Sequence, residues 1–233
     1  MVSPVSAPAP TEEILVIGAG IAGLTLAHGL KQAGFRVAIF ERDESPTARD
    51  QGYRIHLDGA ANMALRACLP PEVYDLFLTL SEPLGRAFSY LDERKRELGV
   101  FANTPPGIAP DDGPRALSRF TLRQLLLTGL AAEIRFGKTC TRIATTPTTA
   151  TAHFADGTAH AGALLIGADG TGSKVAQSLL GDAAPGPTAA VAVIGRLTTT
   201  PAVRALLPEG RFERIGIMLG LLQTLRLLPI PLW

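Results

Sequence analysis

Eighteen residues near the beginning of the chain, EILVIGAGIAGLTLAHGL from Glu13 to Leu30, constrain its fold more than any other stretch. Ile14 to Ile17 is an unbroken apolar run, the pattern of a strand buried on both faces of a parallel sheet. It enters Gly18-Ala19-Gly20-Ile21-Ala22-Gly23, a GxGxxG that follows a strand and opens a helix. In that setting Gly18 permits the tight turn and Gly20 lets backbone N–H groups approach a pyrophosphate. Gly23 lets the helix pack hard against the strand, and the helix N-terminus faces the negative charge. The helix keeps Leu24, Ala27 and Leu30 on one face and ends at Gly34. A second strand, Phe35 to Phe40, ends in Glu41, about 20 residues beyond the glycines, where the ribose hydroxyls of a dinucleotide are bound. A bare GxGxxG is a weak signal; the strand, helix, second strand and terminal acid together make it strong.

The carboxylate of Glu41 accepts hydrogen bonds from a free 2′,3′-diol and repels a 2′-phosphate. This favours the adenosine half of FAD or NAD at this site over NADP. The adjacent Arg42 works the other way, since its guanidinium suits a phosphate. The unit by itself does not separate FAD from NAD.

A length of 233 residues is enough for one large domain or two small ones. With a net charge of +1 and 18% charged residues, the chain carries no electrostatic footprint for nucleic acid. Cys68 and Cys140 lie far apart and show no metal or redox spacing, so they read as buried thiols in a reducing compartment. Residues 1–12 read as a disordered leader, rich in Pro, Ser and Ala up to Pro10 and without the pattern of a secretory signal. Glycines break the apolar segment at Ile14, which argues against a membrane span. The expectation is a soluble, cytoplasmic protein; nothing in the sequence fixes its oligomeric state.

Beyond Glu41, residues 42–51 are polar and loop-like, and Gly52 to Leu57 reads as a short strand. Helices are expected from about Gly59 to Leu69, stopped by Pro70-Pro71, and from Glu72 to Leu80. Candidate strands Ala87–Leu91 and Leu98–Phe101 flank a charged turn, and Asn103 to Pro114 is a loop. Ser118 to Leu127 is helical, with Leu122 and Leu125 or Leu126 on one face and Arg119 and Arg123 one turn apart. Short strands over Ala132–Phe136 and Thr139–Ile143 precede a hairpin, Thr148–Phe154 with Thr158–Ala161, around Asp156-Gly157.

A second glycine stretch follows: Ala163-Leu164-Leu165-Ile166-Gly167-Ala168-Asp169-Gly170-Thr171-Gly172-Ser173. Again an apolar strand runs into a glycine turn, and Ser173 caps a helix from Lys174 to Leu180 that Gly181 closes. The glycines leave backbone N–H groups free to line a ligand, and Asp169 offers an acceptor for its hydroxyls. His28, His56, His153 and His160 are scattered and form no constellation, so no acid, base or nucleophile is assigned.

With both glycine stretches and the Arg119 helix in this order, the chain resembles the FAD-dependent monooxygenases of the aromatic-hydroxylase type, like para-hydroxybenzoate hydroxylase, from about Glu13 to about Leu207. The resemblance implies an α/β fold: a Rossmann-like FAD-binding domain with a mixed β-sheet over residues 13–185, then an incomplete start of a substrate-binding sheet over 186–233. It implies that Gly18, Gly20, Gly23 and Glu41 hold the ADP half of FAD, with Arg42 beside them. Arg119 of the Arg-x-x-Leu helix then lies near the cofactor and Arg123 on the solvated face. Arg54 falls where the family passes the flavin, at a position it usually gives to glycine. Asp169 and Gly170 match the second fingerprint, whose final arginine falls here on Ala176. The implied activity is hydroxylation of an aromatic or similar small organic substrate with O2, with NADPH or NADH as reductant and no metal.

The family's third motif, a Gly-Asp before a glycine-rich helix start, is not recognisable. Gly181-Asp182 reads as a helix end and loop. Ala189 to Leu197 resembles the first substrate-domain strand, after which Arg214 to Trp233 is nearly all apolar. That end reads as cut or out of frame. The alternative expectation is therefore a truncated FAD-binding module without hydroxylase turnover.

Overall fold

The computed structural model describes residues 13–48, 54–84, 87–92, 94, 96–102, 112–181, 198, 200–206, 215–219 and 224–227. Among them are fourteen strands and six α-helices, labelled in chain order. They form two compact units that interleave along the sequence. The first is drawn from Met1–Ile55, Ala60–Ser81 and Leu117–Pro187, the second from His56–Gly59, Glu82–Ala116 and Thr188–Trp233. The sequence suggests a single break after residue 185; in the structure 82–116 leaves the first unit, because its strands pair with strands near the chain's end.

The first unit is built on a parallel sheet. β1 (Glu13–Ile17) lies between β2 (Arg36–Phe40) and β12 (Leu164–Gly167), and β8 (Ile134–Arg135) borders β2, giving the order β12-β1-β2-β8. Four consecutive residues of β1, Ile14 to Ile17, are buried, as a strand covered on both faces requires. One face of the sheet, with Leu15, Ile17, Ala38 and Phe40, packs on Cys140, Ala152, Phe154 and Val175. Phe40 and Phe154 stack with ring centroids 4.7 Å apart. Cys140, Ala152 and Phe154 belong to an antiparallel meander of β9 (Cys140–Thr145), β10 (Ala150–Phe154) and β11 (Ala159–Gly162). Gly162 is fixed by close packing, since a Cβ there would stand 2.6 Å from the carbonyl oxygen of Glu13.

Helix α1 (Ile21–Gln32) packs on β1 and β2. Its end is a Schellman motif: Gly34, at φ +86°, donates to Lys31 and Phe35 donates to Leu30. Helix α4 (Arg119–Leu127) packs on α1 and on α3 (Pro71–Leu80), with α2 (Gly59–Cys68) preceding α3. Helix α3 starts one residue before the expected Glu72, with proline in its first turn, where the missing N–H costs nothing. Helix α5 (Lys174–Leu180) closes the unit at Gly181, φ +54°.

In the second unit, β5 (Ala87–Leu91) pairs with β6 (Glu97–Ala102) and β13 (Ile215–Leu219), and β13 with β14 (Thr224–Leu227). This sheet is mixed, since β13 runs parallel to β5 and the other pairs are antiparallel. The apolar segment near the chain's end thus supplies two of its strands. The turn between β5 and β6 is set by Asp92, whose carboxylate accepts from the backbone of Arg94 and Arg96 and from the Arg96 side chain at 2.6 Å. The arginine's charge and these hydrogen bonds outweigh the cost of burial and hold the Asp92 carboxyl below its ordinary range. A fourth, three-stranded sheet has the order β3-β7-β4, from Arg54–Leu57, Arg115–Ser118 and Glu82–Pro83. Helix α6 is Pro201–Ala205.

The leader over residues 1–12, the loop over 103–111 and the strand expected from Ala189 to Leu197 lie outside the described residues, as does Asp182. No helix among the described residues is long and apolar enough to cross a membrane.

Candidate dinucleotide site

The register of the parallel sheet brings the two glycine stretches together. Ile17 stands opposite both Phe40 and Gly167, so β1, β2 and β12 end side by side. Gly18 donates to the carbonyl of Phe40 and Ala168 to that of Ile17, both at 2.8 Å. The carboxyl ends of parallel strands are where open α/β sheets bind their ligands.

The three glycines of the first turn stand in different surroundings. Gly18 has φ +107°, and a Cβ there would stand 2.8 Å from the carbonyl carbon of Ala168. A Cβ on Gly23 would collide with the Gly18 carbonyl oxygen and meet the Ala168 side chain at 3.2 Å. Gly23 therefore packs against the turn itself and the residue after β12, rather than along β1. At Gly20 a Cβ would meet nothing within 4 Å. Helix α1 starts there with no side-chain cap and no acid in its first turn. Open space beside uncapped amides at a helix N-terminus suits a pyrophosphate, so the residues present fit a dinucleotide.

Glu41, at the end of β2, is 5% exposed. Its Oε2 accepts the Ala19 N–H at 2.7 Å and its Oε1 the Asp43 N–H at 3.0 Å. Asp43 is 9% and Arg123 2% exposed. Arg123 is therefore not on a solvated face. Its Nε donates to the Ala19 carbonyl at 3.1 Å, Nη1 to that of Pro46 at 2.7 Å, and Nη2 to Asp43 at 3.4 Å; Nη2 also lies 3.8 Å from Glu41. Arg119, four residues earlier, is exposed in the first turn of α4 behind the Ser118 cap, which accepts from Thr121. Sequence reasoning missed Arg123 and Asp43. The available signal was the position of Arg123 between Leu122 and Leu126, both fully buried.

Asp169, after β12, is half-buried, and its carboxylate turns to α5. It accepts from Ser173 Oγ at 2.5 Å and from the amides of Lys174 and Val175 at 2.7 and 3.3 Å. Ser173 in turn accepts from Ala176, the position of the fingerprint's arginine. Gly170 has φ +80° and open space at its Cβ position. Arg42 is exposed and Arg54 half-buried at the start of β3.

The histidines stay apart. His28 is buried with Nε2 2.9 Å from the Leu126 carbonyl, and burial pushes its pKa down. His160 pairs with Glu13 at 2.6 Å and His153 with Arg142 at 2.9 Å. Burial pushes the Cys140 thiol up, against the activation a nucleophile needs. No His, Cys, Asp or Glu group that could hold a metal occurs among the described residues.

Residues 16–77 match the model of an NAD(P)-binding Rossmann-like domain. Over 213 residues the chain is 33% identical to a dual O-methyltransferase/FAD-dependent monooxygenase of Cercospora beticola, covering 89% of this chain and 24% of that protein. It is 34% identical to an FAD-dependent monooxygenase of Emericella nidulans, covering 75% of this chain and 44% of the relative. Among solved structures, a protein of Photorhabdus luminescens described as an FAD-containing monooxygenase superposes with a TM-score of 0.73 at 30% identity, covering 91% of this chain and 54% of the other. An HpxO variant of Klebsiella pneumoniae complexed with FAD gives a TM-score of 0.67 at 26% identity, over 94% and 54% of the two chains. The chain thus spans from about a quarter to about half of these relatives' length.

Proposed function

This chain belongs to the FAD-dependent monooxygenases of the aromatic-hydroxylase type, and from that premise we propose that its first unit binds the adenosine half of FAD in service of a monooxygenase reaction. The observation that carries the reading is the open, uncapped start of α1 at Gly20 with the buried Glu41 beside it. The amides of the glycine turn receive the pyrophosphate, and Glu41 accepts from the ribose hydroxyls with the lone pairs that Ala19 and Asp43 leave free. Arg42, Arg54 and Arg119 offer cationic contacts around the cofactor, and Gly170 leaves room for its backbone to approach. Asp169 orders the second glycine stretch by capping α5.

When bound, FAD supplies the redox chemistry, accepting reducing equivalents from NADPH or NADH and activating dioxygen. The protein's part is to hold the cofactor and keep water away from it. The substrate class is an aromatic or similar small organic molecule, and a cytoplasmic setting, where NAD(P)H is supplied, belongs to the same proposal. A second reading is an FAD-binding module without hydroxylase turnover.

The test is the visible spectrum of the purified protein, followed by chromatography of the released cofactor. FAD is expected; FMN or a nicotinamide nucleotide alone overturns the proposal. NAD(P)H oxidation across a panel of phenols then separates the two readings. Stimulation with stoichiometric hydroxylation supports the monooxygenase, and substrate-independent peroxide formation supports the module.

A further inference from the structure

Three charged side chains meet below the glycine turn: the carboxylates of Glu41 and Asp43 and the guanidinium of Arg123, each at most 9% exposed. A buried cation beside two carboxylates is expensive unless its donors all find acceptors. Here Nε has the Ala19 carbonyl, Nη1 the Pro46 carbonyl and Nη2 the Asp43 carboxylate. Ala19, between the first two glycines, is held through both of its flanking peptide groups. Its N–H donates to Glu41 and its C=O accepts from Arg123. The segment after β2 is held as well, because Pro46 accepts from Arg123 and from Gln124, at 2.7 and 3.3 Å. A planar fork with fixed donor directions ties the turn and the strand end into one arrangement.

We propose that Arg123 is a positioning residue for dinucleotide recognition: it fixes the glycine turn and Glu41 relative to each other, so that Glu41 reads the 2′-hydroxyl of the adenosine ribose. The proposal rests on the reading that this site binds FAD. Arg123 touches the residues that meet the ligand and is not itself a catalytic residue. Without it Glu41 keeps its Ala19 and Asp43 amide donors, but the Ala19 carbonyl and the Pro46 segment on either side of them lose the fork that fixes their places.

The experiment titrates flavin-free protein with FAD and with the FAD analogue carrying 2′-deoxyadenosine, read by flavin fluorescence. The wild type should prefer FAD by about ten- to a hundredfold, the worth of a hydrogen bond to a charged acceptor. Arg123→Met should bind both more weakly and lose the preference. Arg123→Lys guards against a methionine variant that does not fold. It keeps the charge without the fork and should bring the preference to within about threefold of unity. A packing role alone would weaken both ligands equally and leave the ratio intact, so an unchanged ratio in the lysine variant overturns the proposal. Wild-type protein that binds neither ligand overturns the FAD reading beneath it. Wild-type protein that binds both equally shows that Glu41 does not read the 2′-hydroxyl, and the proposal falls with FAD binding intact.

Discussion

The Nε of Arg123 donates to the carbonyl oxygen of Ala19 at 3.1 Å, so a helix 104 residues further along the chain holds the glycine turn from behind. The two peptide groups flanking Ala19 are thereby committed, the carbonyl of one to this arginine and the N–H of the other to Glu41. Only the amides that face outward from the helix start remain for an anion.

Arg123 and Arg119 should therefore behave oppositely in flavin-free protein. Arg123→Met strands two buried carboxylates and should cost about 3–5 kcal/mol of stability in urea unfolding. Arg119→Ala, on an exposed residue, should stay within about 0.5 kcal/mol. If Arg119 meets the cofactor, the same alanine should weaken FAD binding by about 1.5–3 kcal/mol. Equal stability losses in the two variants would contradict the burial that separates them.

The glycines of the turn should separate folding from binding. Gly23→Ala drives a methyl group into the Gly18 carbonyl and should destabilise the protein by about 1–3 kcal/mol even without ligand. Gly20→Val has open space and an extended backbone at φ −78°, so stability should change by no more than about 1 kcal/mol. Its branched side chain fills the place of the pyrophosphate, and flavin should be absent from the purified variant. A Gly20→Val protein that retains full FAD content would remove the central assignment.

Asp169→Ala should lower the stability of the flavin-free protein by about 1–2 kcal/mol, because the Lys174 and Val175 amides lose their acceptor. Asp169→Asn, which keeps one oxygen, should lose less. A thermal melt of alanine and wild-type proteins that coincides would mean the carboxylate is not needed for the helix.

His28 gives a pH dependence with a definite sign. Burial lowers its folded pKa below the ordinary 6.5, so below that pH the unfolded chain binds a proton that the folded chain resists. The stabilisation is complete above pH 6.5 and declines as the pH falls through that value toward the folded pKa. Urea midpoints between pH 8 and 5 should fall for the wild type and fall less for His28→Gln. Parallel slopes in the two proteins would assign the dependence to other groups.

The sequence by itself determined the Rossmann-like core, because the signals there are local. An apolar run, three glycines at fixed spacing and an acid at the end of the next strand each act within a few residues of themselves, and Gly18, Gly20, Gly23 and Glu41 could be placed from them at the turn after β1 and the end of β2. The capping of α5 by Ser173 and the turn at Gly157 were legible for the same reason. What only the tertiary structure decided were pairings across long separations. Strands β13 and β14 join β5 and β6 through backbone hydrogen bonds that carry no sequence signature, so the second unit takes in 82–116. The two arginines of α4 show the limit most clearly. Residues four apart on a helix differ by only about 40° in direction, so periodicity gives Arg119 and Arg123 nearly the same face. Which of them is buried depends on what lies against each turn, and what lies against Arg123 is the carbonyl of Ala19, the Pro46 loop and two carboxylates from a strand end far earlier in the chain.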